Sequence, residues 1–294
     1  MNISPQCISC IFNQAYRITQ ELHLGDTQAK AVLDRASSFV PKFSMHHNPP
    51  QNATMMYESI AKLLNTTDIY KEVKAHSTLE ALSLLPFAQK LLDESNNLFV
   101  DATKIAVAGN VIDLASHIRF DLHEEIEKVL HTPFAIDDSD KLFDSLQKAQ
   151  RVVYLADNAG EHIFDKIYIT TLKKLFPWLE IYYFTRGHAI INDVTYEEAI
   201  EAQIDEVATI INSGVATPCI IVEDLTPQAK QLFRCADVII SKGMGNYECL
   251  NQEKDYPIFF LLKVKCSVVA HAIGEAIGSI ICKAIGQVKR FKRL

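Results

Sequence analysis

Arg151-Val-Val-Tyr-Leu-Ala-Asp157-Asn158-Ala159-Gly160-Glu161 decides how this chain folds. The first six residues are an apolar run, rich in β-branched and aromatic side chains, that reads as a buried parallel strand. A carboxylate and a carboxamide stand side by side where the strand ends, followed by a glycine and a helix-like segment. In open α/β sheets, ligands bind in the crevice outside the carboxyl ends of the strands. Asp157 and Asn158 offer two hard oxygen donors there, which suits Mg²⁺ or a similar cation better than zinc. An Asx turn capping the next helix is the alternative reading of the same five residues.

Three further segments repeat the pattern. Tyr182–Thr185 runs into Arg186-Gly-His-Ala-Ile-Ile-Asn192-Asp193. Asp237–Ser241 runs into Lys242-Gly243-Met244-Gly245-Asn246-Tyr-Glu248. Pro257–Leu262 runs into Lys263-Val264-Lys265-Cys266. If these strands are parallel, their loops converge on one sheet edge carrying Asp, Asn, Lys and Arg, the composition of a metal and phosphate site. Lys263 and Lys265 flank Val264, and of the two only Lys265, further past the strand, is expected to reach the cleft.

Taken together, these motifs resemble those of the metal-dependent damage-control phosphatase family, and the likeness extends over nearly the whole chain. It is nearest to the branch that opens with Cys-x-x-Cys, here Cys7 and Cys10, and carries Gly-Asn-x-Ile-Asp, here Gly109 to Asp113. The resemblance implies a divalent cation (Mg²⁺, Mn²⁺, Co²⁺ or Ni²⁺) held by Asp157, Asn158 and Asp193. It further implies phosphate contacts from Lys242 and Lys265, and a cleft reached by Asn110, Asp113, Arg186, Gly243, Gly245 and Asn246. Glu161 is the candidate to orient the attacking water, and Asp165, four residues on, shares its helix face. This chain reads His188-Ala189 and Met244 where relatives often carry Gly-Pro and Gln, differences that bear on substrate preference.

With 294 residues and 48% apolar content, the chain can bury a substantial core. A net charge of −7 argues against a sequence-independent nucleic-acid binder, but not against a phosphometabolite held by a local lysine cluster. The basic run Lys289–Arg293 reads as a solvated tail. Met1–Pro5 lacks the basic and apolar parts of a secretory signal, and Ser267 to Gly286 is interrupted by Glu275 and Lys283, so neither export nor a membrane span is expected. Seven cysteines at mostly wide spacing fit a cytoplasmic protein with free thiols. The Cys7–Cys10 pair has no second pair at zinc spacing, and His46-His47 sits in a Pro-Asn-rich loop.

Residues 1–150 show helical periodicity, with Ile11, Ala15, Ile18 and Leu22 as one stripe, and residues 151–294 alternate strand, loop and helix up to the last thirty. The expected fold is an all-helical N-terminal subdomain packed on a Rossmann-like α/β/α domain with a mainly parallel sheet. A phosphoaspartyl route through Asp157 is disfavoured because Ala159 stands where dehalogenase-type phosphatases place their acid. The expected function is divalent-metal-dependent hydrolysis of phosphomonoesters of small metabolites, such as sugar phosphates or phosphorylated cofactor fragments. The alternatives are protein carboxyl methyl transfer, against which the lack of a glycine-rich cofactor turn counts, and a non-catalytic phosphometabolite sensor.

Overall fold

A computed structural model describes residues 1–111 and 122–286. The helices are α1 (Pro5–Glu21), α2 (Asp26–Ser37), α3 (Pro49–Leu63), α4 (Lys71–Asp93), α5 (Leu98–Val111), α6 (Leu122–His131), α7 (Ser139–Leu146), α8 (Glu161–Leu175), α9 (Tyr196–Glu201), α10 (Pro227–Cys235), α11 (Gly243–Leu250) and α12 (Ser267–Ile273). The strands are β1 (Ile136–Asp137), β2 (Arg151–Leu155), β3 (Glu180–Thr185), β4 (Thr209–Asn212), β5 (Val238–Lys242), β6 (Ile258–Lys263) and β7 (Ile280–Ile285). They form one sheet in the order β1-β7-β6-β5-β2-β3-β4. Every pairing is parallel except β6 with β7.

Alternation along β2 explains how one apolar run serves two layers. Val152 and Tyr154 enter the core built with α4, α5 and α8, while Val153 and Leu155 enter the core built with α10, α11 and α12. All four are fully buried, each contributing on the order of 1.5–3 kcal/mol if credited at the usual transfer value. The second half of the helical segment, from α4 onward, is thus one layer of the sandwich, and β1 joins the sheet from residue 136. A separate core of Ile11, Ala15, Ile18, Val32, Met56 and Ile60 holds α1, α2 and α3 together, and Ile190 from the loop after β3 plugs into it. The entry to α3 is fixed by a capping box, in which Asn48 and Gln51 each bond the other's backbone N–H.

The sheet order sets the site. From β2 the chain moves outward through β3 to β4, then crosses back to β5 on the other flank of β2 and continues to β6. The carboxyl ends of β2, β3 and β5 therefore border the topological switch point, where open α/β sheets leave a crevice. Among the described residues no helix is long and apolar enough to cross a membrane. The expectation of free thiols meets one exception, since Cys219 and Cys249 are joined in a disulfide that ties the loop after β4 to α11. Their separation of 30 residues gave no sequence signal of that pairing.

Candidate active site

The first two sequence motifs are laced together by backbone. Val194 N–H donates to the Asp157 carbonyl at 2.9 Å, and Ala159 N–H to the Asn192 carbonyl at 2.8 Å. Asn158 and Asp193 form an isolated antiparallel bridge between these bonds. A loop 36 residues downstream is thereby held against the end of β2, and Asp193 shares the crevice with Asp157. Arg186, the first residue after β3, donates from Nε to Asp193 Oδ2 at 2.5 Å, leaving Asp193 Oδ1 buried with no protein partner among the described residues.

Asn158 Nδ2 donates to Asp157 Oδ2 at 3.0 Å and to Glu161 Oε1 at 2.7 Å. The amide group thus bridges the two carboxylates. Gly160 turns the chain into α8 at φ +90°, where a β-carbon would press on the Ser77 backbone oxygen at 3.1 Å. From the far side Gly243 opens α11 at φ +76°, and a β-carbon there would lie 1.8 Å from Asp157 Oδ2. Only glycine lets this carboxylate and the start of α11 meet.

Electrostatics set the charge balance of the arrangement. Asp157, Glu161, Asp165, Asp193, Lys242 and Arg186 are each no more than 7% exposed. When ionised, four negative groups against two positive ones leave a buried charge of minus two. Burial first, and the neighbouring Asp193 second, push the Asp157 carboxyl up to about 7, against the pull of Arg186, Lys265 and Lys242. Burial and then Asp157 hold Glu161 at about 7 as well. Burial raises Asp193 to about 6 against Arg186. A divalent cation bound here would cancel this excess and give Asp193 Oδ1 a partner. Among the described residues no three His, Cys, Asp or Glu side chains converge as a metal set. The donors here are two carboxylates and a carboxamide, an oxygen set that fits a hard cation.

The cleft has two lobes, of about 400 Å³ and about 130 Å³, which meet at Asn158, Asn192 and Lys265. Asp157 and Asp193 line the larger lobe and Glu161 the smaller. The helical subdomain roofs both, with Gln14 and Tyr57 facing each lobe and Arg17 at the smaller one. A larger groove of about 1250 Å³ lies between α4, α8 and α9, but it touches none of Asp157, Asn158, Asp193 or Lys265 and stands apart from this chemistry.

The structure divides the expected site residues into two groups. Asp157, Asn158, Glu161, Asp193, Gly243, Gly245 and Lys265 border or line the cleft. Lys242, Arg186 and Asn246 do not. Lys242 is fully buried, with Nζ donating to Asp165 Oδ1 at 2.6 Å and 3.6 Å from Glu161 Oε2, so the expected phosphate contact is replaced by an internal one. Arg186 donates to Asp193 from Nε and to Asn246 Oδ1 from Nη2 at 3.3 Å, and its buried Nη1 has no partner among the described residues. Asn246 pins three backbones, donating to the Ala156 and Lys242 carbonyls at 3.0 and 2.9 Å and accepting from Ile220 N–H at 2.8 Å. Lys263 ends β6 and reaches Glu125 Oε2 at 3.8 Å, whereas Lys265, two residues past it, lines both lobes. Asn110 belongs to α5, and Asp113 lies outside the described residues, as does the Lys289–Arg293 run.

The structure adds residues that spacing did not single out. Gln14, Arg17 and Tyr57 come from the roof. Glu248 of α11 lines the larger lobe, its carboxyl pushed up to about 7 by burial and by Asp157, against the N-terminal amine. Cys7, Cys10 and Cys266 share that wall.

His162 anchors the rear of the turn. Its Nδ1 accepts from Gly160 N–H at 3.0 Å, and burial lowers its pKa to about 4. The unfolded chain takes up that proton near 6.5 and the native state only near 4, so the contribution of His162 to stability is full above about 6.5 and is lost as pH drops towards 4. At about 1.36 kcal/mol per unit, the loss at pH 5 is roughly 2 kcal/mol. The raised carboxyls of Asp157, Glu161, Asp193 and Glu248 act in the opposite direction, so the difference isolates the histidine: in urea unfolding, His162→Gln should gain stability relative to the natural chain as pH falls from 7 to 5.

Strand order, switch point and an acidic cleft edged by lysine define a Rossmann-like α/β protein with its site at the carboxyl ends of the central strands. The chain belongs to the damage-control phosphatase family, since residues 3–281 match the model of the damage-control phosphatase ARMT1-like domain. It is 32% identical over 289 residues to a damage-control phosphatase of Pyrococcus horikoshii, covering 96% of this chain and 98% of that one. A damage-control phosphatase of Archaeoglobus fulgidus is 29% identical over 291 residues, covering 97% and 100%. The crystal structure of a DUF89 family protein from Pyrococcus horikoshii superposes with a TM-score of 0.89 at 30% identity, covering 97% of this chain and 99% of that one.

Proposed function

We propose that this protein is a divalent-cation-dependent phosphatase that hydrolyses phosphomonoesters of small metabolites, such as sugar phosphates or phosphorylated cofactor fragments. The buried excess of two negative charges around Asp157 and Asp193, with a lysine beside it at the cleft wall, is the observation that carries this reading. The names of the archaeal relatives support the phosphatase part of it. Asp157, Asn158 and Asp193 would hold Mg²⁺, Mn²⁺, Co²⁺ or Ni²⁺. The bound cation supplies Lewis-acid polarisation of a phosphoryl oxygen and acidifies water.

The chain's own groups do the rest. Lys265 lies at the junction of the two lobes, where its ammonium offsets charge on the equatorial phosphoryl oxygens. Gly243 brings the first turn of α11 up to the same spot without a side chain in the way. Glu161, bonded to Asn158 at 2.7 Å, is placed to accept a proton from the attacking water. Phosphoryl transfer depends mainly on positioning and charge neutralisation, which these groups provide without a covalent intermediate. Gln14, Tyr57 and Arg17 close the roof over the leaving group and select its shape.

The test is release of inorganic phosphate from a panel of phosphomonoesters, with and without added cation. Release should require Mg²⁺, Mn²⁺, Co²⁺ or Ni²⁺, stop on chelation and return when the cation is restored. Turnover that persists in chelator, or no release from any phosphomonoester with any cation, overturns the proposal.

A further inference from the structure

Lys242 holds the place of a phosphate-binding lysine, at the end of β5 and one residue before Gly243, but its ammonium points under α8. Its partner Asp165 is fully buried and uses both oxygens. Oδ1 accepts from Lys242 Nζ and from the Tyr154 hydroxyl, both at 2.6 Å, and Oδ2 accepts from the Tyr183 hydroxyl at 2.9 Å. Tyr154 and Tyr183 are register partners on β2 and β3, with rings stacked at 5.4 Å and 19°. Three adjacent strands, β5, β2 and β3, therefore each send one polar terminus to a single carboxylate of α8. One turn earlier on that helix stands Glu161, whose Oε2 is 3.6 Å from the same ammonium.

We propose that Asp165 is a positioning residue that fixes the Lys242 ammonium beneath Glu161, so that Lys242 serves hydrolysis through Glu161 and not by touching phosphate. The inference rests on the phosphatase reading above. Burying an ion pair with two phenols costs desolvation that the pair only partly returns, and apolar side chains would pack the same layer at no such cost. Here the network ends on the one carboxylate of the set that also faces the smaller lobe, which gives it an outlet into the cleft. Lys265 remains as the direct phosphate contact at the cleft wall, and the two lysines divide the work that adjacency to strand ends assigns to both.

The experiment compares Lys242→Met, Lys265→Met, Asp165→Asn and Tyr183→Phe in the full chain with Mn²⁺. Three quantities are read: kcat and KM on a phosphomonoester, the affinity for orthophosphate by calorimetry, and the melting temperature. Lys265→Met should weaken orthophosphate at least tenfold, the loss expected for one charge-assisted bond. Lys242→Met and Asp165→Asn should leave that affinity within about twofold while kcat falls at least tenfold. Tyr183→Phe, which removes one bond and no charge, should fold normally and lower kcat by a smaller factor. In a Glu161→Gln background, Asp165→Asn should cost no further kcat, because its effect passes through Glu161.

Loss of orthophosphate affinity in Lys242→Met equal to that in Lys265→Met would show direct contact and overturn the proposal. So would normal kcat in both Asp165→Asn and Tyr183→Phe with only a lowered melting temperature, or an equal factor from Asp165→Asn in both backgrounds. If the natural chain releases no phosphate from any ester, the phosphatase reading fails by itself. The orthophosphate comparison of the two lysines still decides which of them meets the anion.

Discussion

Gly243→Ala should lose at least a hundredfold in kcat/KM while the protein still folds. The added β-carbon would lie 1.8 Å from Asp157 Oδ2 and 2.3 Å from its Cγ, so the carboxylate must retreat by about 1 Å or more. Displacements of about 1 Å at a reacting centre cost on the order of a hundredfold. The backbone at φ +76° adds a stability penalty of roughly 1–2 kcal/mol. Gly274→Ala separates the two effects, because Gly274 has φ +87° but nothing within 4 Å of an added β-carbon. It should lower the melting temperature and leave turnover alone. Similar activity losses in both variants would mean that backbone strain, not the approach to Asp157, is responsible.

Asp157→Asn should abolish turnover and with it the stabilisation by cation. The side chain keeps its size but loses the charge that burial and Asp193 oppose, so without cation the variant should melt no lower than the natural chain. A ligand at a hundred times its dissociation constant adds about 2.7 kcal/mol to a protein that binds it only when folded. For a chain of this length that is a shift of roughly 4 °C. Thermal melts across a Mn²⁺ series should show the shift in the natural chain and none in the variant. An equal shift in both would place the cation elsewhere.

The central strands are readable because β2, β5 and β6 are buried on both faces and leave unbroken apolar runs. β1 has two residues and β4 four, too short for any period to register. β7 lies in the stretch that read as either strand or helix, and its antiparallel insertion beside β6 is a tertiary choice. Asp157 and Asn158 were visible at the end of the β2 run and Asp193 through the family resemblance, although only the backbone lacing of Ala159 and Val194 explains why they meet.

Lys242 is more instructive. Its position beside Gly243 suggested phosphate, yet strand parity argues otherwise, since Val238, Ile240 and Lys242 share one face and the first two pack in the core with α8. Parity was available from the sequence. The side of the sheet on which α8 lies was not. Lys263 and Lys265 separate for a related reason, because β6 ends at Lys263 and the alternation does not carry past it. Gln14, Arg17 and Tyr57 reach the cleft only through the packing of α1 and α3, which no local pattern announces.

Whether a cation sits at the crossing of β2 and the Asp193 loop is the claim on which the rest depends. Anomalous diffraction at the manganese edge from crystals soaked in Mn²⁺ tests it directly. One strong peak should appear between the carboxylates of Asp157 and Asp193 and the Asn158 amide, at oxygen-ligand distance from each. A map with no peak there, or with its strongest peak away from Asp157, would contradict it.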